Sequence, residues 1–211
     1  MIRNVLAAGF IMAGGTLAAE PVVVAALGDS LTQGFGLPEA QGFVPQMEAW
    51  LQGQGADVEM INAGVSGDTT QGGLSRVAWT LTPEVDALIV GLGGNDLLRG
   101  IDPALSRENI NGILAVARDA GVEIMVIGME APGNYGPEYK KEFDAIYPEL
   151  AAEYDTVFYP SFFAAFGDEA AVPGELGEYI QADGIHPSAA GVEVIVADMG
   201  PSVLTLIERV E

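Results

Sequence analysis

The sequence has no cysteine, a single histidine and only eight lysines and arginines among its 211 residues. Without cysteine there can be no disulfide framework, thiolate nucleophile or zinc finger, and with one imidazole a multi-histidine metal centre is excluded by counting. Set against 30 acidic residues, the shortage of basic ones leaves a formal net charge of −22. Such a surface repels phosphate backbones, so nucleic acid is not expected as a partner. Charged residues make up only 18% of the chain, so the imbalance reflects scarce lysine and arginine more than an excess of acid. Composition alone leaves room for a carboxylate-bound calcium or magnesium ion, but none of the chemistry read below requires a metal.

The N-terminal apolar run is also short. Met1 to Ala19 carries Arg3 as its only charge, then an apolar stretch from Val5 to Met12, then small residues at Gly14, Gly15, Thr16, Ala18 and Ala19. That order is the pattern of a secretory signal. The run is broken by Gly9, Gly14 and Gly15 and is too short to serve as a membrane anchor. Residues 1–19 are therefore expected to be a signal peptide, cut after Ala18 or Ala19, releasing 20–211 as one domain to the periplasm or the medium. The absence of cysteine rules out lipid attachment at the new N-terminus.

What is present is a well-supplied core. Apolar residues are 49% of the chain, enough for one domain of this length to bury roughly 70% of its unfolded surface. Short apolar runs rich in β-branched residues predict strands at Val22 to Leu27, Val58 to Ile61, Val85 to Leu92, Val122 to Ile127 and Thr156 to Tyr159. Helical spacing predicts helices at Phe43 to Gln52, Gly73 to Leu81, Pro103 to Ala120, Pro137 to Glu153 and Pro187 to about Arg209. Strands and helices alternate, and the strands are apolar on both faces. The expected fold is thus α/β: a three-layer sandwich with a doubly wound, five-stranded parallel sheet. No repeat or linker divides it, and Phe163 to Gly184 reads as a loop or lid.

Open parallel sheets bind ligands beyond the carboxyl ends of their strands. Three predicted strands run into polar clusters there: Gly28-Asp29-Ser30-Leu31, Asn62 through Thr69, and Gly93-Gly94-Asn95-Asp96. Each alone is ordinary turn chemistry. Their coincidence with His186, in Asp183-Gly184-Ile185-His186-Pro187 ahead of the last helix, changes the weighing. A carboxylate three residues before an imidazole can fold back onto one ring nitrogen and leave the other to accept a proton from a hydroxyl. Ser30, at a glycine-flanked strand end, is the hydroxyl such wiring would need. Pro187 is expected at the first position of the helix.

These four blocks, in this order, resemble those of the SGNH (GDSL) hydrolase superfamily. Asn62-Ala63 through Thr69 and Pro132-Gly133-Asn134-Tyr135-Gly136 are similar to loops of its thioesterase I/lysophospholipase/arylesterase group. The match runs from about Val22 to Ile207. The resemblance implies a flavodoxin-like fold and a serine esterase acting on small acyl or aryl esters, with thioesterase and lysophospholipase activities as further candidates. In it Ser30 would be the nucleophile, His186 the base and Asp183 its support. The backbone N–H groups of Ser30 and Gly67 and the amide of Asn95 would form the oxyanion hole. Leu31, Asn134, Tyr135 and Ile185 would contact substrate. It implies no cofactor, and no dinucleotide fingerprint, P-loop, G-x-S-x-G or H-E-x-x-H motif occurs to suggest one.

Neighbouring residues take plainer roles: Asp68 and Thr69 as caps of the following helix, Asp96 as bonded within its own turn, and Phe143, Tyr147, Phe158 and Phe162 as core. Two alternatives use the same pattern. One is a carbohydrate O-acetyl esterase with the same residues; the other is a noncatalytic binding module on a flavodoxin-like scaffold.

Overall fold

The computed structural model describes residues 20–171 and 176–210. The expected signal peptide lies outside the described residues. Five strands form one parallel sheet: β1 (Val22–Gly28), β2 (Val58–Gly64), β3 (Ala87–Gly91), β4 (Glu123–Ile127) and β5 (Val157–Tyr159), in the order β2-β1-β3-β4-β5. The helices are α1 (Ser30–Gln33), α2 (Phe43–Gly53), α3 (Thr70–Thr80), α4 (Gly94–Leu98), α5 (Pro103–Ala120), α6 (Pro137–Tyr154) and α7 (Ala189–Val210). This is the doubly wound α/β/α sandwich expected from the alternation of elements.

Alternation along each strand splits the core in two. Val24 and Ala26 of β1, Ala87 and Ile89 of β3, and Met125 and Ile127 of β4 face α2 and α7. The intervening Ala25, Leu27, Leu88, Val90, Ile124 and Val126 face α3, α5 and α6. Phe143, Tyr147 and Phe162 are buried in these layers, and Phe158 packs against one of them.

Several boundaries differ from the sequence reading for local reasons. β3 starts at Ala87 because Val85 closes a turn, its N–H donating to the Thr82 carbonyl at 3.0 Å. β2 runs on to Gly64 because Asn62–Gly64 pair with Ala26–Gly28 despite their polarity, as an edge strand permits. α3 begins at Thr70, with the Thr69 side chain accepting from the Gly72 N–H. Pro187 is not the first helical residue. It pairs with Ile180 in an antiparallel bridge, and the Ser188 hydroxyl accepts from the Gly191 N–H at 3.2 Å at the head of α7. The Phe163 to Gly184 stretch contains short 3-10 turns at Ala164–Ala171 and Gly177–Tyr179. α1 and α4, at four and five residues, are too short to show a helical period.

The sheet meets the site at a row of glycines. In the strand register Gly28 stands opposite Gly64 on one side and Gly91 on the other. α1 turns back directly over this row: a Cβ on Gly64 would lie 2.3 Å from the Gln33 nitrogen, and one on Gly28 would lie 1.9 Å from the Thr32 Oγ1. Because the obstacle at Gly64 is backbone, Gly64→Ala cannot be relieved by a rotamer change. It should destabilise the fold by about 1–3 kcal/mol, as other overpacking substitutions do, measured as a lower midpoint in urea unfolding.

Candidate functional site

Ser30 opens α1 directly beyond the end of β1. Asp29 caps this short helix, its Oδ1 accepting from the Leu31 N–H at 3.0 Å, and the left-handed Gly34 ends it. The leading N–H groups of a helix lack intrahelical acceptors, so the Ser30 amide starts out unpaired within its own element.

His186 is held by its own turn. Asp183 Oδ1 accepts the N–H groups of Ile185 at 2.9 Å and His186 at 3.0 Å, while Oδ2 lies 2.7 Å from His186 Nδ1. These backbone and imidazole donors hold the Asp183 carboxyl down at about 2. It is therefore an acceptor near neutral pH, which assigns the imidazole proton to Nδ1. Nε2 is then the free acceptor, and the Ser30 Oγ lies 2.8 Å from it.

A third segment braces this pair. The Phe35 ring packs on the imidazole with centroids 4.7 Å apart. Gln181 ties the two loops together: its Nε2 donates to the Phe35 carbonyl at 2.8 Å and the Pro187 carbonyl at 2.9 Å, and its N–H donates to the His186 carbonyl at 2.8 Å.

Gly67 approaches from the end of β2 with φ +81°, a backbone conformation that a side chain would strain. Arg76 anchors this loop. Its Nε meets Asp68 Oδ2 at 2.6 Å, Nη1 donates to the Ala63 carbonyl at 2.7 Å, and Nη2 donates to the Gly28 carbonyl at 2.8 Å. Arg99 donates to the Gly67 carbonyl at 2.8 Å. Asn95 comes from α4, its Nδ2 donating to Asp29 Oδ2 at 3.3 Å.

Asp96 does not bond only within its turn. Fully buried, it accepts from the Thr70 N–H at 2.8 Å, the Thr70 hydroxyl at 2.6 Å and the Ser106 hydroxyl at 3.1 Å. It thereby pins α4, and Asn95 with it, to α3 and α5. Asp68 likewise serves as the partner of Arg76, whereas Thr69 is the cap.

Ser30, Gly67, Asn95, Leu31, Ile185 and His186 all line one cavity of about 290 Å³. Asn134 and Tyr135 stand outside its lining; the Tyr135 hydroxyl lies 3.4 Å from the Leu98 carbonyl. Phe163, which opens the stretch expected as a loop or lid, also lines the cavity, as do Phe35, Leu98 and Met129, which the sequence did not single out. Phe35 and Leu98 follow Ser30 and Asn95 within a few residues, and Met129 and Phe163 lie just beyond β4 and β5, so inspecting every strand end would have found them. Among the described residues, no group of three or more histidine, aspartate and glutamate side chains is arranged to hold a metal ion.

Residues 26–194 match the model of the GDSL-like Lipase/Acylhydrolase family. The chain belongs to this family. It is 37% identical over 191 residues to Esterase TesA of Pseudomonas aeruginosa, covering 90% of each chain. It is 34% identical over 163 residues to Thioesterase 1/protease 1/lysophospholipase L1 of Escherichia coli, covering 77% of this chain and 74% of that one. The crystal structure of AlinE4, an SGNH-hydrolase family esterase, superposes with a TM-score of 0.72 at 41% identity, over 89% of this chain and 97% of the other.

In this GDSL chain the aspartate beside Ser30 has its own electrostatics. Burial pushes the Asp29 carboxyl up to about 6, against the lowering influence of the Leu31 N–H, the Asn95 amide and His186. A carboxyl raised in this way binds its proton more tightly in the folded chain than in the unfolded one. Its contribution therefore favours folding at low pH and is lost as pH rises from about 4 through about 6. Asp29→Asn removes that titration. The melting temperature of the variant minus that of wild type should become more positive between pH ~4 and pH ~8, read by circular dichroism; a difference that stays constant contradicts the assignment.

Proposed function

We propose that this chain is a secreted carboxylic ester hydrolase in which Ser30 is the nucleophile, His186 the general base and Asp183 the group that orients it. The reading rests on one observation: the Ser30 hydroxyl and His186 Nε2 are 2.8 Å apart while Asp183 occupies Nδ1. Family membership supports the reaction class.

The chemistry follows from the geometry. Nε2 takes the Ser30 proton as Oγ attacks the carbonyl carbon, and the imidazolium is held against the Asp183 carboxylate. The charge that develops on the carbonyl oxygen meets the N–H groups of Ser30 and Gly67 and the second amide proton of Asn95, whose first is committed to Asp29. Breakdown passes the proton from Nε2 to the leaving alcohol or thiol and leaves an acyl group on Ser30. A water molecule, activated by the same imidazole, then releases the acid and restores the hydroxyl. None of these steps uses a metal or cofactor.

The apolar cavity walls fit an acyl or aryl group. The similarity to esterase and thioesterase relatives supports small acyl and aryl esters as substrates, with thioesters and lysophospholipids as extensions. Residues 1–19 support export, with cleavage after Ala18 or Ala19.

Ser30→Ala and His186→Ala should each lower p-nitrophenyl ester kcat by roughly 10⁴-fold or more with the circular dichroism spectrum unchanged. Near-wild-type turnover in either variant contradicts the assignment. Asn95→Ala should cost about a hundredfold to a thousandfold in kcat, with little change in KM, as for the loss of one oxyanion donor.

A further inference from the structure

Ser30 and the Gly67 loop follow different strands, and one side chain joins them. Gln33 is the last residue of α1, three positions after Ser30 and so on the same helical face. Its Oε1 accepts from the Ser66 N–H at 3.1 Å and also from the Ser66 hydroxyl. A backbone N–H can only donate, which assigns the amide oxygen rather than the nitrogen to this contact. The Gln33 carbonyl in turn accepts from Asn62 Nδ2 at 3.3 Å, so α1 is also tied to the end of β2.

The turn that Gln33 grips has a central peptide with two possible orientations. The Asp68 N–H donates to the Val65 carbonyl at 3.0 Å and closes residues 65–68. Gly67, the third of the four, has φ +81°, which makes the turn type II. Types I and II differ chiefly in turning over the central peptide, here the one that carries the Ser66 carbonyl and the Gly67 N–H. Turned over, it would exchange a donor for a carbonyl oxygen and oppose the charge that an oxyanion hole stabilises. Both flanking peptides are held. Gln33 takes the Ser66 N–H on one side, and Arg99 donates to the Gly67 carbonyl at 2.8 Å on the other. Gln33 and Ser66 are exposed, so their bonds compete with water and add little to folding. What they fix is an orientation.

We propose that Gln33 is a positioning residue for the oxyanion hole: by gripping Ser66 it keeps the Gly67 N–H aligned with the carbonyl that Ser30 attacks. The proposal rests on the hydrolase reading of this site. One helical turn then carries both the attacking hydroxyl and the brace for a donor that meets the resulting charge.

The test compares Gln33→Met, of similar length without the amide oxygen, and Gln33→Glu, which keeps an acceptor, in p-nitrophenyl acetate turnover. All assays run in about 1 M NaCl, where a Debye length of about 3 Å screens the added carboxylate. Gln33→Met should lower kcat by about tenfold, less than the loss of a whole oxyanion donor because Arg99 still holds its side of the turn, with KM within about twofold. The pH at which kcat/KM is half-maximal, which reports the proton acceptor of Ser30, should coincide with wild type. The melting temperature should stay within about 4 °C. Gln33→Glu should retain at least about half of the wild-type kcat, since a carboxylate accepts from both Ser66 donors. Wild-type kcat in Gln33→Met overturns the proposal, as does an equal loss in Gln33→Glu. A displaced pH profile overturns it in favour of an effect on the Ser30–His186 pair, and a melting temperature lowered well beyond that margin in favour of a purely structural role. Absence of turnover in wild type would instead overturn the hydrolase reading itself.

Discussion

The structure depends on a close approach of backbone to backbone where three parallel strands end. Gly64, Gly28 and Gly91 stand side by side in the strand register, and the missing side chains leave the space into which the turn after β1 folds. Ser30 sits at the start of that turn, the Gly67 loop rises from the strand on one side, and α4 with Asn95 follows the strand on the other. This is also where the sheet order reverses, β1 lying between β2 and β3, the position at which doubly wound sheets open a crevice. The nucleophile candidate and the amide donors therefore share one small region because the strands share one register.

Closure of the site needs a second set of contacts, made by groups that do not themselves face a substrate carbonyl. Gln181 joins the Phe35 loop to the His186 turn, Arg76 joins the ends of β1 and β2 to the Gly67 loop, and Asp96 holds α4 against α3 and α5. Each binds several partners at once, so each fixes a relative position rather than a single side chain. Asp29 is the costly member of the set. Its carboxyl is almost fully buried and raised in pKa, and in return it caps α1 and orients the Asn95 amide. Local cost retained beside the proposed nucleophile is what a site built for chemistry is expected to show.

Much of this was readable from residue order. The apolar runs and their alternation with helical segments specified five strands and the layered architecture, because burial on both faces leaves a clear pattern. Ser30, Gly67 and Asn95 stood out because each sits in a polar cluster where a core-forming run has just ended, and Asp183 and His186 because a carboxylate precedes the sole imidazole by three residues ahead of the last helix. The contacts between distant segments were not readable. That Gln181 would reach Phe35, or that Asp96 would leave its own turn for Thr70 and Ser106, depends on packing distances that periodicity does not encode. The short helices α1 and α4 escaped for a related reason, since one turn of helix carries no repeat. Pro187 shows a tertiary bridge to Ile180 prevailing over a local preference for the first helical position.

The central claim is that one hydroxyl, and no other in the chain, is activated by the sole imidazole. Peptide mass spectrometry after treatment with a fluorophosphonate tests it most directly, because the reagent forms a stable adduct only with a serine that can be deprotonated at the moment of attack. The account predicts a single adduct on the peptide containing Ser30, formed rapidly in wild type and lost in His186→Ala. A folded protein that stays unmodified, or that is modified at another residue with Ser30 intact, would contradict it.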